Sequence, residues 1–211
     1  MSVTPLSSVA GPLAIVAGTM VVVTRLVTML TVPAELGEPL KASVLSSVFA
    51  INSVASIVAF AVLALALVAV YEREARAAGW FGVLGLAAAL VGTMFMTGDW
   101  WYEAFAVPWL AEVAPGVFET GAGGRLLMGG LASFALLSLG WVLFGAASLR
   151  ARVFPRATSA AILVAALVAG VPIAGAYLYG GLAFGLAIAS LGLWLMRPST
   201  VHHEAAQAAT I

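Results

Sequence analysis

Residues 43–70 read SVLSSVFAINSVASIVAFAVLALALVAV, with no charged side chain between Ser43 and Val70 and with apolar residues running on rather than alternating with polar ones. About 20 such residues suffice to cross the roughly 30 Å of a bilayer's hydrocarbon as a helix. A helix satisfies its own backbone groups in lipid, whereas a barrel strand would alternate, so the run is a membrane helix. Outward from it, the chain divides at polar and Pro/Gly breaks into six runs, near 10–32, 43–70, 79–101, 125–149, 157–178 and 181–196. The expected fold class is therefore all-α, a polytopic transmembrane bundle of six helices in one domain over residues 1–198. The polar, alanine-rich tail 199–211 is expected to be disordered. Composition agrees: 63% of the 211 residues are hydrophobic and 9% charged, too few polar groups to clothe a water-soluble domain.

Loop charges set the orientation. Arg73 and Arg76 follow the second run, Arg150, Arg152 and Arg156 the fourth, and Arg197 the sixth. Basic loops stay in the cytoplasm, so both termini are expected inside, in the plasma membrane. The opposite side carries Glu35, Glu38 and Lys41, then Glu103, Glu112, Glu119 and Arg125. Met1 to Ser8 has no positive charge, and the apolar stretch behind it is longer than a leader core and contains Arg25, so it is expected to persist as a helix. Glycines at packing intervals, Gly79, Gly82 and Gly85 or Gly181 and Gly185, let helices approach closely and offer faces for a homo-oligomer. Pro172 is expected to kink the fifth helix.

Several function classes drop out. Net charge is zero and no basic stripe exists, so nucleic acid is not an expected partner. The absence of cysteine removes disulfides, thiolate metal sites and thiol catalysis. His202 and His203 lie in the tail, beyond reach of a metal deep in the bundle, and neither metal nor cofactor is expected.

Two features remain unexplained by membrane residence. Arg25 sits about two turns inside the first helix, where an arginine costs on the order of 2 to 3 kcal/mol unless it finds a partner. Asp99 on the third helix and Asn52 on the second reach similar depth, with Ser56, Thr24, Thr28, Thr93, Thr97 and Ser133 around them. This layer is either a hydrogen-bonded cluster fixing helix register or one wall of a binding pocket. The second feature is GDWWYEAFAVPW, residues 98–109. An interfacial aromatic belt accounts for part of it but not for the acids. On a continuing helix Asp99 and Glu103 stand at i and i+4, in a stripe with Phe95, Tyr102 and Ala106. Two carboxylates so placed repel, and beside aromatic rings one of them is expected to hold its proton. Trp100, Trp101, Tyr102 and Trp109 offer ring faces that stabilise a cation by about 1 to 2 kcal/mol each when desolvated.

An acid, cation-holding rings and a lipid setting suit proton-initiated cyclisation of an isoprenoid or prenylated chain. Asp99 and Glu103 are the candidate catalytic acids; Arg25, Asn52, Trp100, Trp101, Tyr102 and Trp109 are the candidate substrate-binding residues. No DDxxD-like motif occurs, so metal-assisted loss of diphosphate is disfavoured. On its six-span plan and its acid-plus-aromatic run the chain resembles small actinobacterial membrane proteins. More loosely, it resembles the integral-membrane terpene cyclases of fungal meroterpenoid and actinomycete indole-sesquiterpene pathways. That resemblance implies two acids acting on a substrate dissolved in the membrane, with Asp99 and Glu103 as the matching positions. A small transporter or proton-coupled carrier, or a non-catalytic accessory protein, would use the same polar residues differently. The discriminating feature is whether the Asp99 and Glu103 face opens into a blind aromatic cavity, a through-path or packed helices.

Overall fold

The computed structural model describes residues 5–33, 37–120, 124–171 and 175–197, and these are helical with no strand among them. In chain order the helices are α1 (Pro5–Ser8), α2 (Ala10–Thr31), α3 (Glu38–Val44), α4 (Ser47–Trp101), a π-helical turn (Tyr102–Ala106), α5 (Val107–Val113), α6 (Val117–Thr120), α7 (Gly124–Ala151), α8 (Arg156–Ala169) and α9 (Ala176–Leu195). Among the described residues four stretches are long and apolar enough to cross a membrane: Ala10–Thr31, Ser47–Val113, Leu127–Ala151 and Ala176–Leu195. By that measure the chain is a helical membrane protein, with α8 a shorter apolar helix.

The expected run at 43–70 starts later and extends further. Ser46 caps α4 by accepting a hydrogen bond from the Phe49 N–H (3.2 Å), which ends α3 before it. The helix then continues past Val70 through the charged segment Tyr71–Arg76, and it breaks at Gly79, whose φ of 57° and ψ of −151° lie outside helical space. Without a Cβ, glycine adopts that conformation at little cost. The break is a reversal. The Arg25 guanidinium lies 6.0 Å from the Phe60 ring centroid and 4.7 Å from that of Trp100, residues that a straight helix would separate by about 60 Å. So α4 has two antiparallel arms, residues 47–78 and 80–101.

The second arm does not stop at 101. It passes through the π turn, where the Val107 N–H reaches the Tyr102 carbonyl, and on into α5. Pro108 has no N–H to donate to residue 104 and its ring crowds that carbonyl, and the wider turn in front of it relieves both. At the fifth run the expectation of one helix to residue 178 is overturned. α8 ends at Ala169, and a new helix begins at Ala176 behind Gly175, which takes a left-handed φ of 80°. Pro172 itself lies outside the described residues, as do Glu35 and the tail from residue 198, with His202 and His203.

Small residues decide how the helices meet. α2 runs against α9 with Gly18 on the Gly185 and Ala189 backbone; the second arm of α4 runs against α7 with Gly92 on Leu136 and Gly140 on Ala88. Three of the glycines singled out above pack inside the chain: Gly85 faces the Phe144 backbone, Gly181 the Arg25 side chain, and Gly185 the Gly18 carbonyl. Between them Trp141 sets its ring edge-on to Phe184 (4.9 Å) and Phe144 (5.5 Å) and donates its Nε1–H to Thr93 Oγ1 (3.0 Å).

The two ends differ. One end, here the cap, carries α3, α5 and α6 over a small core of Val44, Phe49, Ala111 and Phe118, closed by the Gly37 N–H to Phe118 carbonyl bond (2.7 Å). At the far end Arg73 donates from Nε and Nη2 to the Ser7 carbonyl (3.0 and 2.7 Å), tying α4 to α1.

Candidate functional site

The polar layer and the acid stripe, expected to converge, are back to back. Arg25 is 4% exposed, enclosed by α2, both arms of α4 and α9. Its partners are rings. The indole of Trp100 covers the guanidinium, Phe60 stands further off, and Gly181 leaves room for the side chain's stem. The direct ion pair expected with Asp99 is absent among the described residues: no contact within 4.0 Å joins it to Arg25. Asp99 and Tyr177 are electrostatic neighbours of the guanidinium at longer range. The reason lies in helix rotation. Consecutive residues point about 100° apart, so once Trp100 faces the bundle, Asp99 turns away from it.

Asn52 is taken up by the same layer. Its Nδ2 donates to Thr28 Oγ1 (3.0 Å), and the hydroxyls of Thr28, Ser56 and Thr93 turn back onto their own helices at Thr24, Asn52 and Ala89 carbonyls. That arrangement fixes the register of α2 against α4.

Asp99, Tyr102 and Glu103 instead line a cavity of about 950 Å³ between the cap and the diverging ends of α4 and α7. Phe95 joins them from one turn earlier, so the stripe Phe95, Asp99, Glu103 read from i, i+4 spacing forms one wall. The opposite wall is α7, with Arg125, Leu131, Ser133 and Phe134; the roof is the cap, with Val44, Phe49, Val107 and Phe118. The volume suits a drug-sized or lipid-like molecule, mostly apolar with a few polar groups that could fix orientation. The packed rings of Trp141, Phe144 and Phe184 lie outside its lining, in the core of the bundle.

The remaining aromatic residues of the 98–109 run do not face this space. Trp101 and Trp109 are 57% and 59% exposed and lie outside the cavity lining, Trp101 beside the equally exposed Phe105. Their place is that of an interfacial belt. Trp100 and Asn52 also lie outside the lining, so of the eight expected residues the structure brings Asp99, Glu103 and Tyr102 together around the cavity.

Sequence reasoning missed Phe49, Phe118, Phe134 and Arg125 as cavity residues; Phe118 comes from a four-residue cap helix that carries no periodic signal, and Phe49 from the start of α4, where the apolar run does not say which face a residue takes. It also missed Glu74, fully buried, whose Oε1 accepts from Ser148 Oγ (2.9 Å) while Oε2 has no hydrogen-bond partner among the described residues. Among the described residues no three His, Cys, Asp or Glu side chains converge to hold a metal. No known protein family, characterised protein or solved structure matches the chain.

Proposed function

We propose that the protein is a multi-pass plasma-membrane enzyme that carries out proton-initiated cyclisation of an isoprenoid or prenylated substrate, with Asp99 and Glu103 as the acids. The single observation that carries the reading is their joint placement, with Tyr102, in the wall of a large and mostly apolar cavity. A carboxyl group there can deliver a proton to an alkene or epoxide, a neighbouring double bond of the chain closes the ring on the resulting cation, and a carboxylate of the same wall takes a proton back to leave a neutral product. The low-dielectric surroundings strengthen every electrostatic contact made to the cation. The rings of Phe49, Phe95, Tyr102, Phe118 and Phe134 line the same space and can present their faces to that charge.

In this reading the chain crosses the membrane six times, each arm of α4 and the short α8 counting as one span, with both termini in the cytoplasm. Arg73, Arg76, Arg150, Arg152, Arg156 and Arg197 would then all face inward at the far end, in keeping with the charge rule. At fourteen residues α8 is short for a bilayer, and local thinning can absorb the mismatch.

One observation favours a second reading, a proton-coupled carrier: the buried, half-partnered Glu74 lies toward the far end of the helix pair that bears Asp99 and Glu103. Membranes containing wild type, Asp99→Asn and Glu103→Gln, incubated with prenylated and epoxidised isoprenoids and read by mass spectrometry, separate the two. Cyclised product lost in either variant supports the cyclase. No product from any protein, with proton flux into proteoliposomes that Glu74→Gln abolishes, supports the carrier.

A further inference from the structure

The second arm of α4 and α7 touch backbone to backbone over half their length and then part. A Cβ at Gly92 would strike the Leu136 carbonyl, and one at Gly140 the Ala88 carbonyl. Carried toward the cap, the same antiparallel register sets Asp99, seven residues beyond Gly92 and on its face, opposite Gly129 and Gly130, with Gly98 beside it at the same depth, and all four line the cavity. Yet among the described residues a Cβ at Gly98, Gly129 or Gly130 would meet no atom within 4 Å. The helices have splayed. Met94, Phe95 and Leu127 line the cavity beside this slot while 68%, 50% and 47% exposed. On the cap side the lining residues Val44, Phe49 and Phe118 are buried, beside the Gly37 to Phe118 bond, and Arg125 is exposed. An apolar slot in the side of a membrane helix pair faces lipid chains.

We infer that the cavity is loaded sideways from the bilayer through the slot between α4 and α7, and that its occupant is a neutral chain lipid of the isoprenoid alcohol or epoxide kind. This rests on the membrane-spanning reading above and names the route and class of substrate for the same cavity. The neutrality follows from the lining. Asp99 and Glu103 oppose an anionic head such as diphosphate, and Arg125 opposes a cationic one. A hydroxyl can both donate and accept, and an epoxide oxygen accepts, so either finds a partner among Tyr102, Glu103, Arg125 and Ser133. The chain then lies along Met94, Phe95, Leu127 and Leu131.

The protein has no cysteine, so Gly98→Cys and Gly130→Cys each place a single nitroxide label in the slot of the full chain in proteoliposomes. Collisions with dissolved oxygen are expected to exceed those with a water-soluble nickel chelate at both sites, and the reverse at a Gly116→Cys reference on the cap. The reference pattern at both slot sites would mean a cavity opening to water and would overturn lateral loading. In parallel, a diazirine-bearing long-chain alcohol photolysed with wild type should label residues 94–103 and 127–134, and the plug Gly130→Trp should cut that labelling severalfold. Gly98→Phe serves as the second plug if the first does not fold. Undiminished labelling in folded plugged protein overturns the route, and stronger slot labelling by a diazirine phospholipid than by the alcohol overturns the neutral occupant. Neither readout needs turnover, so failure of the cyclase reading leaves this inference standing, and the reverse.

Discussion

Arg25 and Trp100 meet charge to ring face, the guanidinium carbon 4.7 Å from the indole centroid, and both side chains are at least nine-tenths buried. The indole Nε1–H has no hydrogen-bond partner among the described residues, so the ring serves the bundle through its face. A cation under a ring in a desolvated site gains about 2 kcal/mol. A double-mutant cycle of Arg25→Met with Trp100→Leu, followed by thermal unfolding in detergent, should yield a coupling of ~1 to 2 kcal/mol. The cycle of Arg25→Met with Asp99→Asn should couple more weakly, and a larger value there would restore the ion pair as the main partnership.

Gly79→Ala tests the reversal in α4. A Cβ there meets no atom, so any cost is conformational. Holding alanine at a φ near 57° and ψ near −151° should lower stability by about 1 to 3 kcal/mol. An unchanged melting temperature would mean that the reversal does not depend on glycine.

The glycines of the α4 and α7 pair should divide into two classes. Gly92→Val and Gly140→Val drive a side chain into backbone and should abolish folded protein on size-exclusion chromatography. Gly98→Ala and Gly130→Ala, at one depth where the helices part and with open space at each Cβ, should shift stability by less than about 1 kcal/mol. Equal damage at both pairs would contradict the splay.

Ser148 and Ser133 are matched buried serines on α7 with different partners. Ser148 donates across to Glu74, whereas Ser133 donates to the Gly129 carbonyl of its own helix. Ser148→Ala leaves a buried carboxyl without its donor and should cost about 1 to 3 kcal/mol. Ser133→Ala should cost distinctly less, measured by the same thermal unfolding.

What could be read in the sequence was whatever depends on periodicity alone. The uninterrupted apolar run from Ser43 to Val70 gives a membrane helix, and i, i+4 spacing gives the stripe of Phe95, Asp99 and Glu103 that forms a cavity wall. Depth along a helix is also legible, and it put Arg25, Asn52 and the third helix in one layer. Rotation about the axis is not, and it decides that Arg25 meets Trp100 rather than its neighbour Asp99. Glu74 illustrates a related limit. In the string YEREAR it looks like one of several loop charges, yet the helix extends far enough to carry it into the protein interior. The cap contributes Phe118 from a four-residue helix and Arg125 from the start of α7, neither of which has a pattern long enough to announce itself.

The single-residue reversal at Gly79 also governs which changes of length the gene can tolerate. Most membrane helices are joined by loops that swallow an inserted or deleted codon. Here the chain passes from Phe60 to Trp100 as two helical arms with only one non-helical residue between them, and both rings are registered on the same guanidinium. Adding or removing one residue within either arm turns everything beyond it by about 100°, swinging Trp100 off Arg25 and the acids out of the cavity wall. Homologues with this architecture are therefore expected to vary in composition across this segment while keeping its length constant.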